Sequence, residues 1–138
     1  MVDYLLFDEL EIGLTFPDKP VEYPVVGSKV NQYLTATGDT SAAFKETAGA
    51  KQLAPPSLSA IYMIEAMKAL KSPPGGVHAK QKFVFHQPAC VGDTLFTTCF
   101  IKEKYVKKWR NYVVMESVTK NQNGEPVTTS EITRIWSK

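Results

Sequence analysis

A chain of 138 residues, 43% apolar and 22% charged with a net charge of +2, has the length of one domain and can build a core without staples, and its charge singles out no nucleic acid. Cys90 and Cys99 form no CxxC pair and have no histidine at metal spacing, so no structural zinc is expected, and no cofactor. The N-terminal apolar stretch lacks a basic flank and is too short for a signal or a membrane span, so the expectation is a single cytoplasmic domain over residues 1–138, with no nucleic-acid and no membrane partner.

Residues 9–20 hold Gly13, Pro17 and Pro20 and read as an entry loop. Residues 21–26 form a short strand that Pro24 pushes toward a sheet edge or bulge. Ser28 is placed to cap a helix over 29–37, with Val30, Tyr33, Leu34 and Thr37 on one face. Gly38 supplies the left-handed residue that ends it. Asp39 or Ser41 would cap a short helix over 42–50. Pro55, Pro56 and Ser57 start a helix over 58–70. It is apolar on nearly every side, as buried helices are, and Pro73-Pro74-Gly75-Gly76 closes it.

The pattern then changes to strands. Residues 77–87 alternate, with Gln81, Phe83, Phe85 and Gln87 on one side and Lys80, Lys82, Val84 and His86 on the other. A turn at Pro88 and Val91-Gly92-Asp93 leads to a long strand over 94–109, a return over 111–121 and a last strand over 127–136. Asn123-Gly124 marks the final hairpin. Lys102, Lys104, Lys107, Lys108 and Arg110 are a solvated hairpin end, or alternatively a basic mouth for an anionic carrier. The order gives an α+β fold, helices on one side of an antiparallel sheet. A long curved sheet around one central helix is the hotdog arrangement. Its long edges need covering, and a dimer is the economical solution.

Two stretches carry a family resemblance. One is Tyr33-Leu-Thr-Ala-Thr-Gly-Asp-Thr-Ser-Ala-Ala-Phe44, followed by Leu53-Ala-Pro-Pro-Ser-Leu58. The other is Phe83-Val-Phe-His-Gln-Pro-Ala-Cys-Val-Gly-Asp-Thr-Leu95. They resemble the MaoC-like hotdog hydratases and dehydratases of enoyl thioesters. The likeness is stronger to N-terminal-type dehydratase halves, including non-catalytic subunits of heterodimeric hydroxyacyl-carrier-protein dehydratases. In active members the resemblance implies an Asp, matched here by Asp39, and a His, whose position holds Phe44. Together they hold and activate the water that adds across the double bond. Phenylalanine moves no proton, and losing such a group removes about 10²–10⁴ in rate. Ser41 and Ala42 replace the motif's Asn-Pro pair. The family's Gly at the helix start, whose N–H stabilises the enolate oxygen, aligns with Pro56, which has no N–H. With the alignment slipped by one, the Ser57 N–H would serve.

Each residue has a plainer reading beside this one. Asp39 is a helix cap or a turn acceptor as readily as an acid. Phe44 is a packing residue in the pocket where an acyl chain would lie, and Tyr62 and Met63 read as core, Tyr62 lining that pocket. His86 is the other acid/base candidate, or a partly exposed structural histidine. His78 reads as solvent exposed, and Trp109 and Trp136 as strand packing. Glu65 faces a dimer partner or solvent, or is the acid of a hotdog thioesterase. The leading expectation is a substrate-binding subunit for acyl-CoA or acyl-carrier-protein thioesters, in a homodimer or in a heterodimer with a catalytic hotdog subunit. The alternatives are a self-sufficient homodimeric hydratase using Asp39 with a substitute such as His86, a non-enzymatic acyl-CoA-binding hotdog, and a thioesterase.

Overall fold

The computed structural model describes residues 3–138. Five strands form one antiparallel sheet: β1 (Thr15–Pro24), β2 (Val77–Phe85), β3 (Thr94–Lys107), β4 (Arg110–Lys120) and β5 (Pro126–Trp136), in the spatial order β1-β3-β4-β5-β2. Helices α1 (Gly27–Thr37) and α2 (Ser59–Met67) complete it, and α2 packs against β1, β3 and β4. This is the α+β hotdog arrangement expected from the sequence.

The first strand begins earlier than its prolines suggest. Residues 15–20 are strand rather than entry loop, because β1 lies at the sheet edge and its register shifts between Phe16 and Val21. An edge and a bulge are where a missing N–H is tolerated. Helix α1 starts one turn position before Ser28, with Val26 at its cap and no side-chain cap bond. Gly38 ends it at φ 68° as expected, and the Asp39 N–H closes back on the Leu34 carbonyl at 2.9 Å. The helix expected over 42–50 is absent. Only a 3-10 turn at Ala42–Phe44 forms, and Gly49 at φ 79° reverses the chain between Thr47 and Ala50.

The expected helix over 58–70 resolves into a 3-10 turn at Pro56–Leu58 followed by α2. It is not buried all round. Ser59, Tyr62, Met63 and Ala66 face inward, but Ile61 and Ile64 are 39% and 50% exposed. The sheet covers one side of this helix and leaves the other open.

Two apolar clusters share the inner face of the sheet. One gathers Ala66, Leu70, Cys99, Ile101, Met115, Ile132 and Trp136 around the end of α2. The other gathers Val30, Leu34, Leu58, Tyr62, Leu95 and Val127 around its start. A seam of buried hydroxyls runs between them. Thr97 and Thr119 bond at 2.8 Å, Tyr62 and Thr128 at 2.9 Å, and Ser117 bonds Ser130 in the neighbouring row. Buried hydroxyls are costly unless paired, and these find each other across strands.

The β3–β4 hairpin turns on Lys108 and Trp109, at φ 49° and 63°. A two-residue turn with both centres left-handed matches the twist of the flanking strands. In the β4–β5 loop, Gly124 takes φ 76°, and Asn121 Oδ1 accepts the N–H groups of Asn123 and Glu125. The outermost strand, β2, pairs only with β5 and is exposed along most of its length, including Val77 and Phe85.

Candidate functional site

At the start of α2 lies a cavity of about 260 Å³, walled by Ala54, Pro56, Leu58, Phe85, Ala89 and Val127. Local chemistry explains its position. Pro55 is extended, at φ −64° and ψ 141°, and Pro56 opens the turn where a backbone N–H would have no helical partner anyway. The Leu58 N–H closes on the Pro55 carbonyl at 3.0 Å. The Ala54 N–H donates to the Ala89 carbonyl at 2.8 Å, and Leu53 bridges Cys90, so the two loops are joined side by side where they line the cavity.

Tyr62 lines the inner wall. Its hydroxyl bonds Thr128, its ring lies 5.7 Å from that of Tyr23, and burial pushes the phenol pKa up, opposed by the Thr128 bond. His86 borders the cavity, but its Nε2 is bonded to Thr129 Oγ1 at 2.8 Å. Successive strand residues point to opposite faces. The imidazole on Thr129 and the phenol on Thr128 therefore sit on opposite sides of the sheet.

The Gly38-Asp39 loop forms a separate shallow depression with Asn31, Thr35 and Lys45. Asp39 Oδ1 accepts the Ser41 N–H at 2.9 Å, and bonding from Ser41 holds its carboxyl below the ordinary carboxylate range. Phe44 is half-buried against the cluster around the start of α2. Its carbonyl accepts from Gln52 Nε2 at 2.9 Å, and the same amide donates to Asn31 Oδ1 at 2.9 Å. Ser57 Oγ accepts from the Tyr33 hydroxyl at 2.7 Å, joining α1 to the turn. The fold thus gathers Pro56, Tyr62 and His86 around one cavity. Asp39, Phe44 and Ser57 lie outside its lining.

Two residues of the site were not singled out by sequence. Thr128 was legible from the alternation of β5, which puts it inward with Ser130 and Ile132. Gln52 had only the faint signal of one amide beside the apolar pair Leu53-Ala54, yet it is buried and pins the loop. The basic cluster divides. Lys102 pairs with Glu131 at 2.8 Å, and Lys104 donates to the Phe7 carbonyl over the Phe7 ring. Lys107, Lys108 and Arg110 surround the exposed Trp109 at the hairpin tip. That tip is the end of the sheet away from Val127 and the apolar cavity. Among the described residues no group of His, Cys, Asp or Glu is placed to hold a metal, and no helix is long and apolar enough to cross a membrane.

Comparison with known proteins converges on one family. A family profile described as "FAS1-like, dehydratase domain region" matches residues 11–130. A UPF0336 protein of Streptomyces griseus is 27% identical, over 91% of this chain and 92% of its own. The unliganded R-hydratase PhaJ1 of Pseudomonas aeruginosa superposes with a TM-score of 0.81 at 20% identity, over 98% of this chain and 87% of that one. The C-terminally truncated HadBC complex of Mycobacterium tuberculosis, a (3R)-hydroxyacyl-ACP dehydratase, gives a TM-score of 0.75 at 22% identity, over 90% and 96%. At such identities the structural likenesses establish the shared hotdog fold.

Proposed function

The chain belongs to the FAS1-like dehydratase region family, among the MaoC-like hotdog hydratases and dehydratases, and on that premise we propose that it is a substrate-binding subunit for acyl thioesters, carried on coenzyme A or a carrier protein. Its own loop supplies no working acid/base pair, and a partner hotdog subunit provides one.

The observation that carries this reading is the state of the Asp39–Phe44 loop. Where the family resemblance calls for a histidine, Phe44 packs half-buried against the cluster at the start of α2 and its carbonyl is held by Gln52. The Asp39 carboxylate accepts the Ser41 N–H and lies in another depression than the apolar cavity. His86, the substitute base, is directed to Thr129 on the far face of the sheet. The cavity itself suits an acyl chain, being walled by proline, leucine, alanine, valine and phenylalanine. At about 260 Å³ it falls just under the ~300–1,000 Å³ of small-molecule pockets, which fits a site completed by a second chain. Exposed Ile61, Ile64, Val77 and Phe85 offer the apolar surface for that chain. In this arrangement Pro56 and Tyr62 shape the acyl tunnel, and Phe44 and Ser57 brace the turn behind it.

The test is hydration of crotonyl-CoA by the purified chain, alone and co-expressed with a family member carrying the intact Asp and His. The expected result is no turnover alone and turnover in the mixed complex, reduced when Pro56 or Tyr62 is changed. Turnover by the lone chain that vanishes in Asp39→Asn and His86→Gln would instead establish a self-sufficient hydratase.

A further inference from the structure

The opposite end of α2 holds a second cavity, of about 420 Å³, between the helix end, the start of β2 and the end of β5. Its apolar wall is Met67, Leu70, Met115, Ile132 and Trp136. Its polar groups are predominantly cationic or neutral: Arg134, Lys68, His78 and Ser72.

Arg134 is an unusual residue for that position. Its register partner on β4 is the fully buried Val113, and along β5 it alternates with the buried Ile132 and Trp136. An arginine therefore points to the helix-facing side of the sheet. Its Nε is buried and has no hydrogen-bond partner among the described residues. The carboxylates in ion pairs among those residues serve Lys68 and Lys102. Gly76 lies against the guanidinium, since a Cβ built there would come within 3.3 Å of Nε. His78, opposite Arg134 in the β2–β5 register, flanks it on the same face. Leaving a buried charged donor unpaired is unfavourable, and a guanidinium is the group best matched to a two-oxygen anion.

We propose that this cavity is a binding site for an amphipathic oxyanion. The anionic head, a carboxylate or a phosphate monoester, is received by Arg134 with His78 beside it. The apolar body lies on Met67, Met115 and Ile132. The site shares no residue with the apolar cavity at the start of α2, but its rim includes Ile64, which the proposed function also gives to the partner surface.

The test uses the full chain titrated with octanoate, octyl phosphate and octanol by calorimetry, with amide chemical shifts to locate each ligand. One or both anions should bind saturably, and which of them does identifies the head group. Octanol should bind about tenfold or more weakly, as expected for loss of a charge-assisted bond. Shifts should gather at Ser72, His78 and Ile132 rather than at Ala89 and Val127. Arg134→Gln should lose about tenfold or more in anion affinity. Should that variant fold poorly, Ser72→Glu leaves Arg134 in place and sets a competing carboxylate in the cavity, and it should weaken both anions. Equal affinity for octanol, shifts confined to the apolar cavity, undiminished binding in the variants, or a second copy closing the cavity so that neither anion enters would each overturn the proposal.

Discussion

The two ends of α2 carry cavities of opposite character. At its start the walls are mostly prolines, aliphatic side chains and Phe85, with His86 and Gln87 at the border and a buried phenol paired to Thr128. At its end an arginine lies among methionine, isoleucine and tryptophan. A helix presents partial positive charge at its start and partial negative charge at its end. At the partially negative end the chain places Arg134 in the cavity wall, with its Nε unpartnered among the described residues. At the positive end, where an anion or a polarised carbonyl oxygen would be favoured, it places Pro56, which contributes no N–H. The start of the helix thus opens on a residue without an N–H, while a charged group lines the cavity at the other end. Having the fold of a hydratase therefore says where a ligand fits, and less about whether it reacts.

This contrast can be broken or sharpened by experiment. The largest effect is expected from Leu58→Ala, which empties a fully buried position beside the apolar cavity. It should cost about 2–5 kcal/mol in denaturant unfolding. Because the sheet runs through both clusters, the transition should stay single, whereas two resolved transitions would show that the ends of α2 unfold separately.

A second difference appears at high pH. Cys99 lies in the cluster around the end of α2, and burial pushes its thiol from 9.0 up to about 12. The folded state thus holds its proton more tightly than the unfolded chain. The stability this represents is complete below about pH 9 and is lost as pH rises toward 12. Alkaline melting curves of Cys99→Ala should lack that component. Tyr62, in the other cluster, also has a raised pKa and adds a loss of the same sign.

The apolar cavity should reward chain length. Each added methylene buried there is worth about 0.8 kcal/mol, roughly fourfold in affinity. A series of saturated acyl-CoAs should climb at that slope and then level off once the cavity is filled. A flat series would remove the acyl reading of this end. The smallest effect belongs to Asp39→Asn. Its carboxyl is solvent-facing and is held low by Ser41, so its contribution is present above the ordinary carboxylate range and lost as pH falls below it. Melting at neutral pH should barely change, and an NMR titration of Asp39 should give a midpoint below that of a free aspartate.

Much of the architecture was legible in the residues. The alternation over β2 to β5 and the Asn123-Gly124 turn define the meander, because side-chain period and turn chemistry are local properties. The start of β1 was not, since Pro17 and Pro20 read as breakers until the sheet order puts them on an edge. The open side of α2 was also hidden, because an apolar helix looks the same whether its second face meets its own sheet or nothing. In the site, Pro56 was singled out through the family resemblance and Tyr62 as core, and both line the apolar cavity. The outward bond of His86 was half legible: the alternation put it opposite Phe85, but its partner Thr129 lies on a strand distant in sequence. Arg134 was overlooked although the same alternation sets it inward between Ile132 and Trp136. A charged residue invites a solvent-facing reading, and only the register with Val113 contradicts it.

The hydroxyl seam has a consequence for how the strands find their pairing. A shift of one residue would turn every side chain to the wrong face and is excluded by burial alone. A shift of two keeps inside and outside intact, so apolar patterning does not detect it. The seam does. Thr97 opposes Thr119, Thr119 opposes Thr128, and Ser117 opposes Ser130. Sliding β5 two residues along β4 one way sets Ser117 against Ile132 instead, leaving a buried hydroxyl facing a hydrocarbon. The polar row thus discriminates between alignments that hydrophobicity leaves degenerate, and it adds to the register that the neighbouring β4–β5 turn sets.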